Sequence, residues 1–223
     1  MKQRQVRIDC GTRYFNLVAF DIDPQGEDAE FVNEVQSEAK QHGAQTYDPG
    51  GRPRSGITLS NTRYLGVLSE KLIADHLRSI FGNEISVSNR AFEGYDAHVD
   101  IEIQVDGKPI SFEVRSSFPY RPLRDVVCRI FDFIGPYTTS FKAGESPKDF
   151  YLRGLINERV QNFNPERKHT LYFAGGVTYE LLKQEGRRTN FDQPGADFLA
   201  LKLYRGMDAL QIIELIKDAI SEV

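Results

Sequence analysis

Two acidic residues and one basic residue on a predicted β-hairpin have the types and spacing needed for metal-assisted chemistry. Two segments of alternating polarity flank Asp106-Gly107, a pair typical of a two-residue type I′ turn. That turn sets the register so that Asp100 lies directly opposite Glu113, with Arg115 two residues further along the second strand. Opposed like charges cost free energy unless something offsets them. A divalent cation held by carboxylate oxygens would offset them and could catalyse hydrolysis.

The alternation of side chains predicts that this hairpin has one apolar face and one acidic face. The apolar face carries Val99, Ile101, Ile103, Val105, Ile110, Phe112 and Val114. The acidic face carries His98, Asp100, Glu102, Gln104, Glu113 and Arg115. The alternative interpretation of this pattern is an ordinary solvated face, on which Arg115 and nearby lysines neutralise the acids.

A third carboxyl group, Glu70, belongs to the helix that precedes the hairpin. Apolar residues at helical spacing predict this helix over 61–81, with Ser60 or Asn61 as the N-cap and Gly82 as the stop. Glu70 has apolar neighbours three and seven residues away, so it lies on or beside the packed face, where an unpaired carboxylate would be costly. Metal coordination, directly or through water, or pairing with a buried arginine would each resolve that conflict.

The remaining patterns predict strands interleaved with helices, which indicates an α/β sheet covered on both faces. Residues 5–22 predict a β-hairpin and residues 27–42 a surface helix, followed by a mobile loop over 48–56. A short strand is expected over 85–87. Further helices are expected at about 121–134, 148–162, 177–186 and 208–221, and further strands at 170–174 and 198–204.

This order of elements over about residues 60 to 175 resembles the core of the PD-(D/E)XK nuclease superfamily. The resemblance implies a restriction-endonuclease-like α/β fold, a mixed central sheet flanked by helices, with an N-terminal β-hairpin and helix elaboration. We therefore divide the chain into an elaboration with a basic loop (1–59) and a nuclease-like core with a C-terminal helix (60–223), together one compact domain.

The resemblance also implies roles for the residues of the hairpin. Asp100 and Glu113 become ligands of Mg²⁺ or Mn²⁺, for which the main-chain carbonyl of Val114 is a further hard oxygen donor. Glu70 becomes an auxiliary acid, and Arg115 stands where the superfamily usually has a catalytic lysine. Arginine keeps its charge and can hold a phosphate oxygen, but it is a poor proton acceptor.

The expected activity is metal-dependent hydrolysis of DNA phosphodiester bonds by an endonuclease, as in restriction or repair enzymes. The first alternative is a catalytically inactive nucleic-acid-binding or regulatory module of the same fold, in which Arg115 has replaced the lysine. The second alternative is a globular protein of another purpose. If Arg115 has no catalytic role, Lys142 or His98 is the next candidate for the cation.

Two groups of arginines are candidate nucleic-acid contacts, because arginine binds phosphates and guanine edges well. They comprise Arg52, Arg54 and Arg63 before and within the Glu70 helix, and Arg121 and Arg124 after the hairpin. Ordinary surface arginines balanced by acids are the alternative. The formal net charge of −4 means that any nucleic-acid site must be a local basic patch.

Composition predicts a cytoplasmic chain without a signal peptide or membrane span. Cys10 and Cys128 lie far apart in sequence, which predicts neither a disulfide framework nor a structural zinc site. The apolar stripe of the C-terminal helix is expected to pack in the core, with a homodimer contact as its alternative use.

Overall fold

The computed structural model describes residues 1–41, 56–82, 85–87, 99–138, 146–190 and 197–221, with the backbone alone for 85–87. The predicted loop over 48–56 lies outside the described residues except for its last glycine. Arg52, Arg54, His98 and Lys142 also lie outside them. In the part of the chain that is described, no helix is long and apolar enough to cross a membrane.

The described residues form ten strands and five α-helices, with a π-helical and a 3₁₀ segment. The strands are β1 (Lys2–Asp9), β2 (Tyr14–Ile22), β3 (Ile85–Val87), β4 (Ile101–Val105), β5 (Lys108–Ser117), β6 (Asp132–Tyr137), β7 (Phe150–Ile156), β8 (His169–Thr178), β9 (Arg187–Thr189) and β10 (Phe198–Lys202). The helices are α1 (Ala29–Gln41), α2 (Gly56–Phe81), α3 (Leu123–Asp125), α4 (Tyr179–Glu185) and α5 (Ala209–Ser221). The π-helical segment is Val126–Ile130 and the 3₁₀ segment is Leu203–Arg205.

Among the described residues, seven strands form a mixed central sheet in the order β1-β2-β8-β7-β5-β4-β3. Only β5 and β7 pair in parallel within this sheet; its other neighbours are antiparallel. The mixed α/β class predicted from the sequence is confirmed. The N-terminal hairpin β1–β2 continues this sheet by pairing with β8.

The two faces of the central sheet carry different layers. One face packs against α1, α2 and α5 through a large apolar cluster. The other face packs against a three-stranded sheet, in the order β6-β10-β9, together with α4 and the π-helical segment. The strand predicted over 198–204 therefore exists as β10, but it belongs to the small sheet rather than the central one.

The hairpin β4–β5 has the register that the sequence predicts. Val105 pairs with Lys108, and Ile101 pairs with Phe112. Asp106 and Gly107 have φ values of 47° and 81°, the positive values that a type I′ turn requires. The apolar residues of the hairpin, among them Ile101 and Phe112, are buried in the helix-covered core.

Helix α2 is longer than predicted, and the predicted N-cap at Ser60 or Asn61 is wrong. The helix begins at Gly56 and ends at Phe81, where Gly82 adopts a φ of 92° as the predicted stop. Asn61 is buried, and its side-chain amide donates to the main-chain carbonyls of Val160 and Phe163, 2.7 and 2.9 Å away. Its amide therefore ties the helix to a loop and does not cap it.

Two of the predicted helices differ from the structure. The helix predicted over 148–162 is wrong, because Phe150–Ile156 forms strand β7 in the centre of the sheet. Every residue of β7 is buried, and a short apolar run buried on both faces has no periodicity that separates strand from helix. The helix predicted over 121–134 is limited to α3 and the π-helical segment before β6 begins. The helices predicted over 177–186 and 208–221 are confirmed as α4 and α5.

The prediction that the cysteines are unpaired is wrong. Cys10 and Cys128 form a disulfide, with their Cα atoms 5.4 Å apart. Sequence separation misled the prediction, because the β1–β2 turn lies against the π-helical segment that contains Cys128. The cysteines therefore give no support to the predicted cytoplasmic location, because disulfides persist mainly in oxidising compartments.

Candidate functional site

The two acids of the hairpin are buried side chains, not members of a solvated face. Asp100 precedes β4 and is 3% exposed, and Glu113 lies within β5 and is 6% exposed. The amide of Asp100 donates to the carbonyl of Phe112 at 3.2 Å, so the pairing of the hairpin reaches this residue. Continuing the register by one residue puts Asp100 opposite Glu113. Burial excludes the solvated-face interpretation for these two carboxyl groups.

The carboxylate of Asp100 is fixed by the backbone of the neighbouring strand. Its Oδ2 atom accepts a hydrogen bond from the amide of Val114 at 2.6 Å. The N–H and C=O of a strand residue point to the same side, so the Val114 carbonyl faces the same edge. A carboxylate and a main-chain carbonyl, both hard oxygen donors, therefore lie beside each other where β4 begins.

Arg115 is the cation beside Glu113. Its Nη2 atom lies 3.0 Å from Oε1 of Glu113, and its Cζ atom lies 5.2 Å from the centre of the Tyr137 ring. Both residues of the ion pair project from the same face of β5, because they are two positions apart. The ion pair is largely shielded from solvent, since the Arg115 side chain is 18% exposed.

Glu70 on α2 completes an acidic cluster. Burial raises the pKa of Glu70 well above its usual value, and the charges of Asp100 and Glu113 raise it further. Lys71 opposes this shift, but its ammonium group is held at 2.9 Å by both Glu34 and Glu38 of α1. The structure thus brings Glu70, Asp100 and Glu113 within electrostatic range of one another.

The chemistry of the donors suits a hard cation, although the present side-chain arrangement does not preform a cage. Carboxylate and carbonyl oxygens are the ligands that Mg²⁺ and Mn²⁺ prefer. Among the described residues, no group of three or more His, Cys, Asp or Glu has the geometry to hold a metal ion. The hydrogen bond from Val114 and the ion pair with Arg115 each engage one carboxylate oxygen, Oδ2 of Asp100 and Oε1 of Glu113, that a cation would otherwise use.

Sequence reasoning missed a buried arginine beside this cluster. Arg153 of β7 pairs in register with Arg115 of β5, is 2% exposed, and donates from Nη2 to Oγ of Ser117 at 2.8 Å. Burial lowers the pKa of Arg153 to about 10, and the charge of Arg115 contributes to this shift. The available signal was a single arginine inside an apolar run, which the helix prediction for this segment concealed.

The predicted nucleic-acid residues fall into separate places. Arg63 is half-buried and lines a cleft of about 710 Å³ with residues of α1, α2 and the loop 161–166. Arg121 and Arg124 are exposed beyond the carboxyl end of β5. The Nε atom of Arg124 donates to the carbonyl of Asp9 at 2.8 Å. The structure brings neither arginine group into a described contact with the acidic cluster.

The apolar stripe of α5 is buried within its own chain. Ile212, Ile213 and Ile216 belong to the helix-covered core, whereas Leu210 is partly exposed. Core packing therefore accounts for this stripe, and the homodimer contact stays a prediction.

Comparisons with known proteins give similarity without a function. An uncharacterized protein of Methanocaldococcus jannaschii is 28% identical over 236 residues, covering 86% of this chain and 84% of that protein. No protein-family model matches the chain. No solved structure matches it either.

Proposed function

We propose that this protein is a metal-dependent endonuclease of the PD-(D/E)XK type that hydrolyses DNA phosphodiester bonds. The observation that carries the proposal is the acidic cluster, in which Asp100 and Glu113 are buried opposite each other and near enough to Glu70 to raise its pKa. Burying carboxylates close together is costly unless cations balance their charge. A balancing divalent cation would be in a position to act on a phosphodiester.

The order of the strands supports the same proposal. Helix α2 is followed by β3, β4 and β5, and then by a crossover containing α3 that leads to β7. Strands β3, β4, β5 and β7 are consecutive neighbours in the sheet, with β5 and β7 parallel. The resemblance to the nuclease superfamily rests on a similar succession, although its final strand is the one predicted at 170–174 and β7 stands where the sequence predicts a helix.

The residues of the cluster have distinct roles in this proposal. Asp100, Glu113 and the Val114 carbonyl would hold Mg²⁺ or Mn²⁺, with Glu70 as the auxiliary acid. When bound, the ion supplies activation of water and stabilisation of the charge that develops on the phosphate oxygens. The peptide N–H of Val114 keeps the Asp100 carboxylate oriented, because it donates to Oδ2.

Arg115 acts as an electrostatic group in this proposal. One guanidinium arm meets Glu113, and a planar guanidinium fork is a group that binds phosphate oxygens well. Arg153 lies on the neighbouring strand at the same register, and its positive charge disfavours retreat of Arg115 towards β7. The two arginines would therefore favour an anionic substrate beside the acids.

One observation favours the alternative, an inactive nucleic-acid-binding or regulatory module of the same fold. The ion pair between Glu113 and Arg115 occupies a carboxylate oxygen that a metal would need. A lysine in place of Arg115 would present a compact ammonium without a bidentate fork. DNA binding by a protein that never cleaves would favour this module.

A cleavage assay tests the proposal. Wild-type protein is incubated with DNA, and in parallel with RNA, in Mg²⁺, Mn²⁺ or EDTA. We expect cleavage of DNA that EDTA abolishes and that falls at least about 10²-fold in Asp100→Ala and in Glu113→Ala. Asp21→Ala, which removes a half-exposed acid of β2, is the control and should cleave as wild type does. Metal-stimulated cleavage that survives both site substitutions would contradict the proposal.

A further inference from the structure

An exposed tyrosine lies where the parallel strands β5 and β7 both end. Tyr120 follows β5 by three residues and is 48% exposed. Asn157 follows β7 directly, and its Oδ1 atom accepts a hydrogen bond from the amide of Arg121 at 3.1 Å. The loops after the two strands are therefore tied together at the same edge of the sheet.

Two arginines, one from each loop, lie against the ring of Tyr120. The Cζ atom of Arg121 is 5.3 Å and that of Arg159 is 5.0 Å from the ring centre. Both arginines are exposed. They border an open cleft of about 320 Å³ that is lined by Tyr120, Arg121, Pro122, Asn157, Glu158 and Arg159. An aromatic ring and two guanidinium planes thus share one solvent-facing cleft.

The backbone holds this tyrosine in an unusual conformation. Tyr120 has a φ of 39°, which is uncommon for a residue with a bulky side chain. A conformation of this kind persists where the surrounding structure determines it, as the hydrogen bond from Arg121 to Asn157 does here. The ring consequently faces solvent, although an aromatic side chain normally stabilises the fold more when it is buried.

We propose that Tyr120, Arg121 and Arg159 form a stacking platform for an unpaired nucleotide, so that the substrate includes single-stranded nucleic acid. Bases stack on aromatic rings and on guanidinium planes whatever their sequence, while arginines also meet the phosphates. A base inside a duplex has both faces covered, so a platform of this kind selects unpaired nucleotides.

The platform is within reach of the acidic cluster. Tyr120 is five positions after Arg115, and this length of chain spans at most about 17 Å when extended. That length corresponds to roughly five base steps of one strand. This inference rests on the proposed function. A nuclease site at the acidic cluster is what makes a nucleic acid the expected ligand of the platform.

Binding in EDTA tests the inference separately from cleavage. Fluorescence anisotropy measures the affinity of the full chain for a labelled single-stranded DNA of about 20 nucleotides and for the matching blunt duplex. We expect the single strand to bind more tightly, and Tyr120→Asn to weaken its binding about tenfold. Asparagine tolerates a positive φ, so this variant removes the ring and keeps the backbone conformation.

Matched variants make the result specific. Tyr120→Phe keeps a stacking ring and should bind as wild type does, and so should Tyr204→Asn, which removes an exposed tyrosine of the 3₁₀ segment. The double change Arg121→Gln with Arg159→Gln should lower the magnitude of the slope of log affinity against log salt concentration by about two.

Three outcomes would overturn the inference. The first is wild-type affinity in Tyr120→Asn, and the second is tighter binding of the duplex than of the single strand. The third is an acidic peptide that displaces the labelled single strand as well as unlabelled single-stranded DNA does. Any of these results would leave metal-dependent cleavage, measured in its own assay, untouched. Loss of cleavage in the Asp100→Ala variant with unchanged single-strand binding would support both proposals.

Discussion

The hairpins β1–β2 and β4–β5, which lie on opposite sides of the middle of the central sheet, differ in how their charged residues are placed. In β1–β2, Arg4 lies 2.8 Å from Asp21, and both side chains are at least one-third exposed. In the β4–β5 hairpin, Asp100 and Glu113 lie opposite each other and are almost completely buried. The first hairpin pairs opposite charges in water, whereas the second buries two acids side by side and pairs Glu113 with Arg115 away from solvent.

This difference separates a structural pattern from a candidate functional one. Exposed opposite charges on neighbouring strands need no further partner and contribute little to stability. Buried like charges cost free energy, and here the cost is visible in the raised pKa of Glu70. Because stability alone does not explain such a cluster, we expect function at β4–β5 and none at β1–β2.

The largest expected effect concerns Arg115. We expect Arg115→Ala to lower the single-turnover cleavage rate at saturating Mg²⁺ about 10²-fold. Arg115→Lys should also lower it, because lysine loses the fork that meets Glu113 and the contact with the Tyr137 ring. A site decayed from a lysine-dependent enzyme would instead gain activity in Arg115→Lys.

The matched control for Arg115 lies in the first hairpin. Arg4→Ala also removes one arginine of an ion pair with an acid, and it should leave the cleavage rate unchanged. Equal rates for wild type, Arg115→Lys and Arg115→Ala would show that Arg115 has no catalytic role. His98 and Lys142 would then be the next residues to change.

The second effect is stabilisation by a divalent cation. An ion that binds only the folded state at about 100 times its Kd adds about 2.7 kcal/mol to the free energy of unfolding. We expect Mn²⁺ to raise the urea midpoint of wild type and of Asp21→Asn relative to EDTA. The variant Asp100→Asn with Glu113→Gln should show no such rise, whereas an equal rise would locate the ion elsewhere.

The register of the β4–β5 hairpin could be predicted from the sequence because its signals are local. A two-residue turn at Asp106-Gly107 and strict alternation specify which side chains share a face. Local patterns also indicated α2, although not its first turn, because the buried contacts of Asn61 depend on a loop distant in sequence. Local geometry was thus predictable where the partners are neighbours in the chain.

What could not be predicted depends on contacts between distant segments. Strand β7 is buried along its whole length and mostly apolar, with Arg153 as its one charged residue, so only its place between β5 and β8 distinguishes it from a helix. The juxtaposition of Arg153 with Arg115 follows from that place, as does the joining of the Tyr120 and Arg159 loops. The acids of the site were predictable, but the arginines that surround them required the fold.

The third effect is a pH dependence due to Glu70. Its folded-state pKa is raised, so its contribution to stability is fully present below the unfolded value of about 4.5 and is lost as the pH rises through the folded value. In EDTA, we therefore expect Glu70→Gln to be more stable than wild type at pH ~7, by on the order of 1 kcal/mol, and equal to it at pH ~4.

Urea unfolding of both proteins at the two pH values measures this difference. The pKa values of His76 and His169 are lowered by burial, which gives stability that is lost as the pH falls below about 6.5. These histidines are present in both proteins, so the comparison cancels their contribution. Parallel pH profiles for wild type and Glu70→Gln would show that the acidic cluster does not strain the fold.

The smallest effect belongs to the exposed pair of the first hairpin, and it has the opposite pH dependence. The hydrogen bond from Arg4 lowers the pKa of Asp21, so the stabilisation is present above the unfolded value of about 3.8 and is lost as the pH falls through the folded value. We expect Arg4→Ala to lower the free energy of unfolding, measured with urea at pH ~7, by less than about 1 kcal/mol, and by less again in high salt. A decrease in the free energy of unfolding above about 2 kcal/mol that persists in high salt would mean that the Arg4–Asp21 pair is held as firmly as the side chains of the buried cluster. The contrast between the two hairpins would then no longer distinguish a candidate site from an ordinary surface.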